Sequence, residues 1–285
     1  MGTTLSKNTT IVTVTFNSMA VLPSMLDSIP NGTPIIIVDN NSTDIAAVKK
    51  ISKNYGAELI ANKKNKGFGE ACNQGAKLAK TEFVFFLNPD ATIEKDTIIN
   101  LEKSARANPG VGAMNPKILK PNGKQYFKRR SHLLNRSDWM SRAVPKETCL
   151  VNILSGAAFF VKKETFNVVG GWDENMFLYH EEDDLCLRIK QNNEDLMFVS
   201  TAIARHIRGS STPPSKKSSY FKGWHMGRSR IYATNKHKIR FATAYALIDS
   251  ILQLISPINL FSSRKRAKSW GYLRGVISFL RHQKN

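Results

Sequence analysis

The chain has 285 residues, of which 41% are hydrophobic and 22% charged, so it can bury a substantial core and is not composed like a disordered protein. Its three cysteines, Cys72, Cys149 and Cys186, have no paired spacing, which argues against a disulfide framework and against a zinc site. The formal net charge of +20 suggests a polyanionic partner. The position of that charge along the chain indicates which kind of polyanion to expect.

Strand and helix signals alternate through the first hundred residues. Short apolar or β-branched runs predict strands, and the apolar-periodic stretches between them predict helices. Because these strands are apolar on both faces, we expect a mostly parallel sheet that is covered by helices on each side. The predicted strands are residues 11–15, 34–38, 57–61 and 83–87, and the predicted helices are residues 19–29, from Ser42 or Thr43 to about 53, and 67–78.

Polar residues follow three of these strands at the point where each strand ends. In parallel sheets, ligands bind beyond the carboxyl ends of the strands, which lie along one edge. The same residue types also favour turns and helix caps, so each segment has an ordinary structural alternative. The expected edge residues are Thr15, Asn17, Asp39, Asn41, Asn88 and Asp90.

Two further segments carry candidate chemistry. Residues 65–69 open the third predicted helix with two glycines, which suits close approach of an anion, although the G-x-G-x-x-G pattern of dinucleotide sites is absent. Residues 181–184 are four consecutive acids that begin a predicted helix over 181–191. Acids at this position complement the helix dipole, but four exceed that need, so a carboxylate here is a candidate general base or metal ligand.

The pattern is looser beyond residue 110. Basic and turn-rich composition predicts turns, and apolar runs predict order further on. We expect turns over residues 116–130, a mobile loop or short helix over 131–148, order over 152–162, a turn at Gly170-Gly171, short strands at 197–200 and 202–206, and a mostly helical tail from about 220.

Most of the positive charge lies in the tail. Residues 203–285 carry seventeen Lys or Arg and one acid, Asp249, which accounts for +16 of the +20. Residues 241–261 are long enough to cross a bilayer but polar in the middle, so a helix lying in the membrane interface suits them better, with the cations of 264–268 meeting anionic headgroups. The alternatives are a helix packed on the preceding part of the chain and a merely soluble basic tail.

Taken together, the order and spacing of these segments resemble glycosyltransferase family 2, inverting enzymes with the GT-A fold, and within it bacterial rhamnosyltransferases of cell-surface polysaccharide assembly. The resemblance covers residues 9–212 and not the tail. The segments that carry it are residues 11–17, 38–44, 65–69 with Asn73, 87–90, 155–158, 170–174, 181–188, and His206 with Gly209 and Ser210.

The resemblance implies a role for each matching residue. Asn88 and Glu182 depart from the usual aspartates, which weakens any strict metal requirement and leaves Glu181 as a second candidate base. The implied roles are donor-nucleotide binding by Thr15, Asn17, Asp39, Asn41, Asn65, Gly67 and Asn88; binding of Mg²⁺ or Mn²⁺ by Asp90 and His206; catalysis by Glu182 or Glu181; and sugar or acceptor contacts by Gly156, Trp172, Asp173 and Asp184.

The resemblance further implies an architecture and a set of partners. We expect an α/β GT-A catalytic domain over residues 1–215, with a nucleotide-binding half over about 9–115 and an acceptor half over about 116–215, and a basic amphipathic helical tail over 216–285. The expected substrates are a nucleoside-diphosphate sugar, with dTDP-rhamnose favoured over UDP-hexose or UDP-N-acetylhexosamine, and a polyprenyl-linked saccharide.

The chain should therefore work as a peripheral enzyme on the cytoplasmic face of the cell membrane. No secretory hydrophobic region precedes residue 11, and the tail is expected to meet an anionic membrane surface or another copy of the chain. Met1-Gly2 with Ser6 formally matches a myristoylation signal, a short pattern that arises often by chance. The rivals are a basic nucleic-acid-binding protein, which lacks a recognised motif, and a nucleotidyltransferase, which lacks its basic glycine-rich loop; nucleic acid is not an expected partner.

Overall fold

The computed structural model describes residues 7–207 and 215–282. The formal myristoylation match at Met1-Gly2 and Ser6, and the motif residues Gly209 and Ser210, lie outside the described residues. Ten strands form one sheet. They are β1 Thr9–Thr15, β2 Ile35–Asp39, β3 Glu58–Ala61, β4 Phe83–Leu87, β5 Ala91–Ile93, β6 Val111–Leu119, β7 Gln125–Tyr126, β8 Cys149–Val151, β9 Ala158–Lys162 and β10 Asp195–His206.

Helices connect these strands and continue beyond them. The 131–148 segment, expected as a loop or short helix, contains a single 3₁₀ turn at Arg136–Asp138. The helices are α1 Leu22–Asp27, α2 Ile45–Asn54, α3 Phe68–Leu78, α4 Thr97–Ala107, α5 Lys163–Val168, α6 Glu181–Gln191, α7 Lys216–Lys236, α8 Ala242–Ile255, α9 Pro257–Leu260 and α10 Ser263–His282.

The sheet is mixed: the half built from β1 to β4 is parallel, as the alternation of strands and helices predicted, and antiparallel pairings dominate beyond it. Its strand order is β3-β2-β1-β4-β9-β6-β10-β5, with β7 beside β6 and β8 beside β10. Strands β1 to β4 run parallel to one another, and β6 runs parallel to β10. Strand β9 lies antiparallel between β4 and β6. Two separate buried apolar clusters cover the two faces of this sheet, which is the mixed α/β fold expected.

Three sequence expectations were wrong. Helix α2 is capped not by Ser42 or Thr43 but by Asp44, whose side chain accepts a hydrogen bond from the Ala47 N–H. Residues 111–119 form strand β6 although the run from Pro116 onwards is turn-rich in composition. The strand tolerates Pro116, which has no N–H, because the ladder with β10 is irregular there, between Val199 and Ile203. That irregularity also accounts for the two short strands predicted where β10 is one.

Helices α7 and α10 pack closely along glycines. A Cβ at Gly223 or Gly227 would meet the backbone carbonyl of Lys268 or Tyr272 on the opposite helix. The reverse holds for Gly275, whose Cβ would meet the Trp224 carbonyl. Larger side chains would therefore separate the two helices. Among the described residues, no helix combines the length and the apolar character needed to cross a membrane.

Candidate active site

The carboxyl ends of β1, β2 and β4 lie side by side at one edge of the sheet. Thr15 at the end of β1 pairs with Asp39 at the end of β2. Val12 pairs with Phe86 of β4, which ends at Leu87, and Asp90 lies in the turn that follows the end of this strand. The strand register therefore places Thr15, Asp39 and Asp90 along one edge, although they are far apart in sequence.

Two buried oxygens at this edge have no hydrogen-bond partner within the residues that the structure describes. They are Thr15 Oγ1 and Asp39 Oδ1, and both residues are at most 1% exposed. The other carboxylate oxygen of Asp39 accepts a hydrogen bond from the Ser42 N–H at 2.9 Å. A buried polar atom without a partner costs about 1–3 kcal/mol, so this pair of oxygens suits a ligand that brings hydroxyl or N–H donors.

Asn40 organises the loop that closes this edge, and sequence analysis had assigned it no role. Its amide N–H groups donate to Asn65 Oδ1 and to the Gly67 carbonyl, at 3.1 and 2.8 Å. Its Oδ1 accepts from the Asn62 amide and from the Lys66 N–H, at 3.1 and 3.2 Å. A buried asparagine with both ends of its amide engaged holds residues 62–67 in one conformation.

The other expected nucleotide residues form the rim. Asn17 has a φ of 55° and its Oδ1 accepts a hydrogen bond from the Thr43 N–H at 2.8 Å, so its side chain shapes the loop. Asn41 is exposed, with a φ of 72°. Gly67 has a φ of 89°, and a Cβ there would lie 2.6 Å from the Phe177 carbonyl oxygen. Only glycine permits that close approach.

Asp90 lies against His206. The Asp90 Oδ1 is 2.9 Å from His206 Nε2, and both side chains are largely buried. The pairing of β5 with β10 sets this contact, because His206 pairs with Ala91 and the Ile207 N–H donates to the Asp90 carbonyl at 2.9 Å. A carboxylate oxygen and an imidazole nitrogen, whose residues are far apart in the sequence, thus form a small polar site.

Glu182 reaches the same edge through β9. The Asn88 N–H donates to the Ala157 carbonyl at 3.0 Å, so the residues before β9 lie beside the residues after β4. A Cβ on the next residue back, Gly156, would lie 3.5 Å from the Glu182 Cβ and 3.7 Å from its carboxyl carbon. The Glu182 side chain therefore lies directly beside Gly156, at the strand ends.

Among the acids at the start of α6, Glu181 and Asp183 have pKa values that are shifted in opposite directions. Burial, and next the charge of Glu182, raise the pKa of Glu181 to about 8. Burial opposes ionisation of Asp183 as well, but Lys128 and His180 hold its pKa below the usual range. The Lys128 ammonium lies 2.7 Å from Glu182 Oε1 and 2.5 Å from Asp183 Oδ1. Sequence analysis missed Lys128, which belongs to the basic segment predicted as turns.

The residues expected to shape the sugar or acceptor side are differently placed. Trp172 is 1% exposed, and its ring packs edge-on against Phe68, Phe86 and Phe159. It therefore supports the core beneath the site. Gly156 lies beside Glu182, as described above.

Asp173 and Asp184 connect the tail to the sheet domain. Lys236 of α7 lies 2.6 Å from Asp173 and 2.7 Å from Asp184. His237 lies 2.8 Å from Asp184. Although burial opposes ionisation of Asp184, hydrogen bonds and charges from His237, Arg188 and Lys236 lower its pKa to about 2. Both carboxylates are thus engaged by α7, and Asp184, being fully buried, does not face open space.

Comparison with known proteins gives a family match and more distant relatives. Residues 10–170 match the family described as glycosyl transferase family 2. An N-acetylglucosaminyl-diphospho-decaprenol L-rhamnosyltransferase of Mycobacterium tuberculosis is 27% identical over 249 residues, which cover 74% of this chain and 81% of that protein. A poly-beta-1,6-N-acetyl-D-glucosamine synthase of Staphylococcus epidermidis is 27% identical over 154 residues, which cover 50% of this chain and 35% of that protein.

Solved structures share the fold at low sequence identity. The structure of GalNAc-T7 with UDP, GalNAc and Mn²⁺ has a TM-score of 0.64 at 16% identity, covering 96% of this chain and 56% of that chain. The mannosyltransferase PcManGT from Pyrobaculum calidifontis, with GDP-Man and Mn²⁺, has a TM-score of 0.58 at 14% identity, covering 96% of this chain and 87% of that chain. These matches show the GT-A fold.

The raised pKa of Glu181 predicts a pH-dependent effect on stability. Because the pKa rises from 4.5 to about 8, the stability that this carboxyl contributes is present below about pH 4.5 and is lost as the pH rises through about 8. Glu181→Gln stays neutral and should not lose it. Between pH 5 and pH 9, urea denaturation should show the free energy of unfolding of Glu181→Gln rising relative to wild type by more than about 1.4 kcal/mol, the equivalent of one pH unit.

Glu164→Gln is the matched control, because Glu164 is an exposed acid in the first turn of α5. Its stability difference from wild type should not change over the same pH range. A pH-independent difference for Glu181→Gln would contradict the assignment of a proton to Glu181 at neutral pH.

Proposed function

The chain belongs to glycosyl transferase family 2, whose match covers residues 10–170, and from that premise we propose that it moves L-rhamnose from dTDP-rhamnose to a lipid-linked saccharide in surface polysaccharide biosynthesis. The observation that carries the proposal is the pair of buried oxygens, on Thr15 and Asp39, to which no described residue hydrogen-bonds, beside the Asp90–His206 pair and Glu182. The relative from Mycobacterium tuberculosis, a decaprenol-linked L-rhamnosyltransferase by name, supports the rhamnosyl group and the lipid-linked acceptor. A UDP-hexose or UDP-N-acetylhexosamine donor is the alternative.

The donor nucleoside would bind at the ends of β1 and β2. Asp39 Oδ1 and Thr15 Oγ1 would accept or exchange hydrogen bonds with its base or ribose, which relieves the cost of burying them alone. The loop held by Asn40 would cover the nucleoside, with Asn65 and Gly67 on its inner side. The diphosphate would then extend along the edge toward Asp90.

Asp90 and His206 fit a divalent cation. A carboxylate oxygen and an imidazole nitrogen are both ordinary ligands of Mn²⁺, and a carboxylate oxygen suits Mg²⁺. Among the described residues, no third His, Cys, Asp or Glu joins this pair, so Asp90 and His206 are the side chains that would hold the cation. When bound, the cation would supply positive charge to the leaving diphosphate. Asn88 adds a neutral group here, which keeps the protein's own negative charge at the site low.

Glu182 would act as the general base. It takes the proton of the acceptor hydroxyl while the hydroxyl oxygen bonds to the anomeric carbon. The bond from that carbon to the diphosphate breaks on the opposite face, and its electron pair leaves with the diphosphate. Attack opposite the leaving group inverts the anomeric centre. Glu182 suits this task because its side chain lies beside Gly156 at the strand ends.

The acceptor saccharide would lie between the 175–177 segment and the tail. A cavity of about 300 Å³ opens there, and Phe177, which lines it, also contacts Gly67 of the donor loop. Phe177 stacks on His225 with ring centroids 4.4 Å apart, and Arg228 lies over the Trp224 ring at 5.6 Å. Aromatic faces and a guanidinium suit a saccharide that carries a diphosphate.

The tail would hold the enzyme on an anionic bilayer. Helix α8 packs on the other helices through Ala242, Ala246 and Ser250, while its opposite face is apolar and more than half exposed. The exposed residues are Tyr245, Ile248, Ile251, Leu252 and Ile255, preceded by Phe241. The exposed cations Arg264 and Lys265 follow in α10. An apolar face next to cations is suited to the membrane interface. In the proposed division, residues 1–215 carry the donor site and the base, and residues 216–285 carry the lipid contact and one wall of the acceptor cavity, on the cytoplasmic face.

Removing the base tests the proposed reaction. We expect Glu182→Gln to lower turnover by at least about 100-fold, the usual contribution of a general base, with the affinity for the donor changed less than about twofold, since Glu182 faces the acceptor. Turnover is followed with dTDP-rhamnose, UDP-glucose and UDP-N-acetylglucosamine as donors and N-acetylglucosaminyl-diphospho-decaprenol as acceptor, with and without EDTA.

Glu164→Gln, which removes a carboxylate from the same position of the first turn of α5, should retain wild-type turnover. Near-normal turnover of Glu182→Gln would refute the assignment of the base. Transfer from none of the three donors would count against the proposed function itself.

Breaking the apolar face of α8 tests the membrane proposal. We expect Ile248→Asp with Ile255→Asp to lower the fraction bound to phosphatidylglycerol vesicles at least tenfold, because burying each isoleucine is worth about 1.5–3 kcal/mol. Vesicle sedimentation measures this fraction. Val168→Asp, which changes an apolar residue of α5 that is 64% exposed, is the control and should bind as wild type does. Unchanged binding of the α8 variant would overturn the proposal.

A further inference from the structure

Lys128 occupies an unusual place for a lysine. It follows strand β7 in the basic segment of the chain, and its side chain is only 15% exposed. Its ammonium lies between two first-turn carboxylates of α6, 2.7 Å from Glu182 Oε1 and 2.5 Å from Asp183 Oδ1. Burial would lower the pKa of Lys128, but the charges and hydrogen bonds of Asp183 and Glu182 raise it. Lys128 is therefore a fixed cation beside the proposed base.

The neighbouring residues Glu181 and Glu182 differ in their burial and in their contact with Lys128. Glu181 is 3% exposed, and burial together with the charge of Glu182 raises its pKa to about 8. Burial therefore favours the protonated form of Glu181. Lys128 makes its ion pair with Glu182 Oε1 and acts on Glu181 only through the longer-range field.

We infer that Lys128 is a positioning residue for the transfer reaction, which fixes the negative charge of the Glu181–Glu182 pair on Glu182 and holds its carboxylate by Oε1. This inference rests on the proposed role of Glu182 as the base. The second oxygen, Oε2, is then the one that accepts the proton of the acceptor hydroxyl. Lys128 keeps its own proton throughout, so it neither donates to nor accepts from the substrate.

The arrangement explains why the base is Glu182 and not the adjacent glutamate. Two neighbouring carboxylates cannot both ionise cheaply in a buried site, so the nearest cation decides which one does. Asp183, also held by Lys128, anchors the ammonium from the other side. The ionisable groups that face Glu182 are Lys128 from the segment after β7, Tyr179 from the segment before α6, and Glu181, Asp183 and Cys186 from α6 itself.

Neither of the other neutral groups competes in the working pH range. Burial, and next the charges of Glu181 and Glu182, raise the pKa of Tyr179 to about 12. Burial raises the pKa of the Cys186 thiol as well. His180 contacts Asp183 at 3.0 Å and is common to all the variants below, so differences between those variants report the carboxylate pair.

The pH dependence of kcat/KM tests the inference in the intact enzyme. In Lys128→Met, the acid limb of the kcat/KM profile should move to higher pH by about one unit or more, the usual effect of losing one adjacent opposite charge. Its kcat/KM should then fall below that of wild type by about tenfold or more on the acid side of the profile, below the wild-type limb, and recover toward wild type by pH 9. Lys128→Arg should keep the wild-type limb. Lys124→Met, at an exposed lysine of the same segment, is the matched control and should change nothing.

A second measurement needs no substrate. Protein labelled with ¹³C at the glutamate carboxyl carbons gives NMR signals that Glu181→Gln and Glu182→Gln identify. The Glu182 signal should titrate at higher pH in Lys128→Met than in wild type, and in Lys128→Gln as well, which serves if the methionine variant folds poorly.

Failure of the inference about Lys128 and failure of the proposed base would give different results. An acid limb and a Glu182 titration that stay in place without Lys128, or activity lost by the same factor at every pH, would overturn the inference while leaving Glu182 as the base. Full activity of Glu182→Gln would overturn the proposed base, and the positioning role of Lys128 would fall with it.

Discussion

The pairing of β4 with β9 is the constraint on which the site depends. β9 runs antiparallel between two strands of the parallel sheet, with Ala158 opposite Leu87. Its beginning therefore lies beside the end of β4, and the Asn88 N–H donates to the Ala157 carbonyl. Through Gly156, this register brings the start of α6 to the edge that carries Asp90. A one-residue slip would turn these groups to the opposite face.

The cations near this edge form two groups, one paired with acids inside the molecule and one exposed at its surface. The acids at the start of α6 are met from one side by Lys128 and from the other by Lys236 and His237. Some of the positive charges that make up the net +20 thus form ion pairs with carboxylates inside the molecule. These ion pairs connect the tail to the sheet and make neighbouring carboxyl groups differ in protonation. The cations at the start of α10 remain exposed, next to the apolar face of α8, where an anionic surface can meet them.

Much of this architecture was readable from sequence, because local signals determine it. The apolar runs of β1, β2 and β4 and the acidic start of α6 gave their elements and their edge residues directly. The roles of Asn40 and Lys128 were not readable, because each depends on partners that the fold brings near: Asn40 on the loop at 62–67, and Lys128 on α6, 54 residues further along. Strand β6 was missed for the same reason, since its pairing with β10 overrides the turn propensity around Pro116.

A crystal structure with dTDP-rhamnose and Mn²⁺ would show whether the donor lies along this edge of the sheet. We expect the nucleoside against Thr15 and Asp39, the diphosphate and cation at Asp90 and His206, and the anomeric carbon of the sugar facing the side on which Glu182 stands. Nucleotide bound away from Asp39, or a sugar screened from Glu182 by intervening protein, would contradict it.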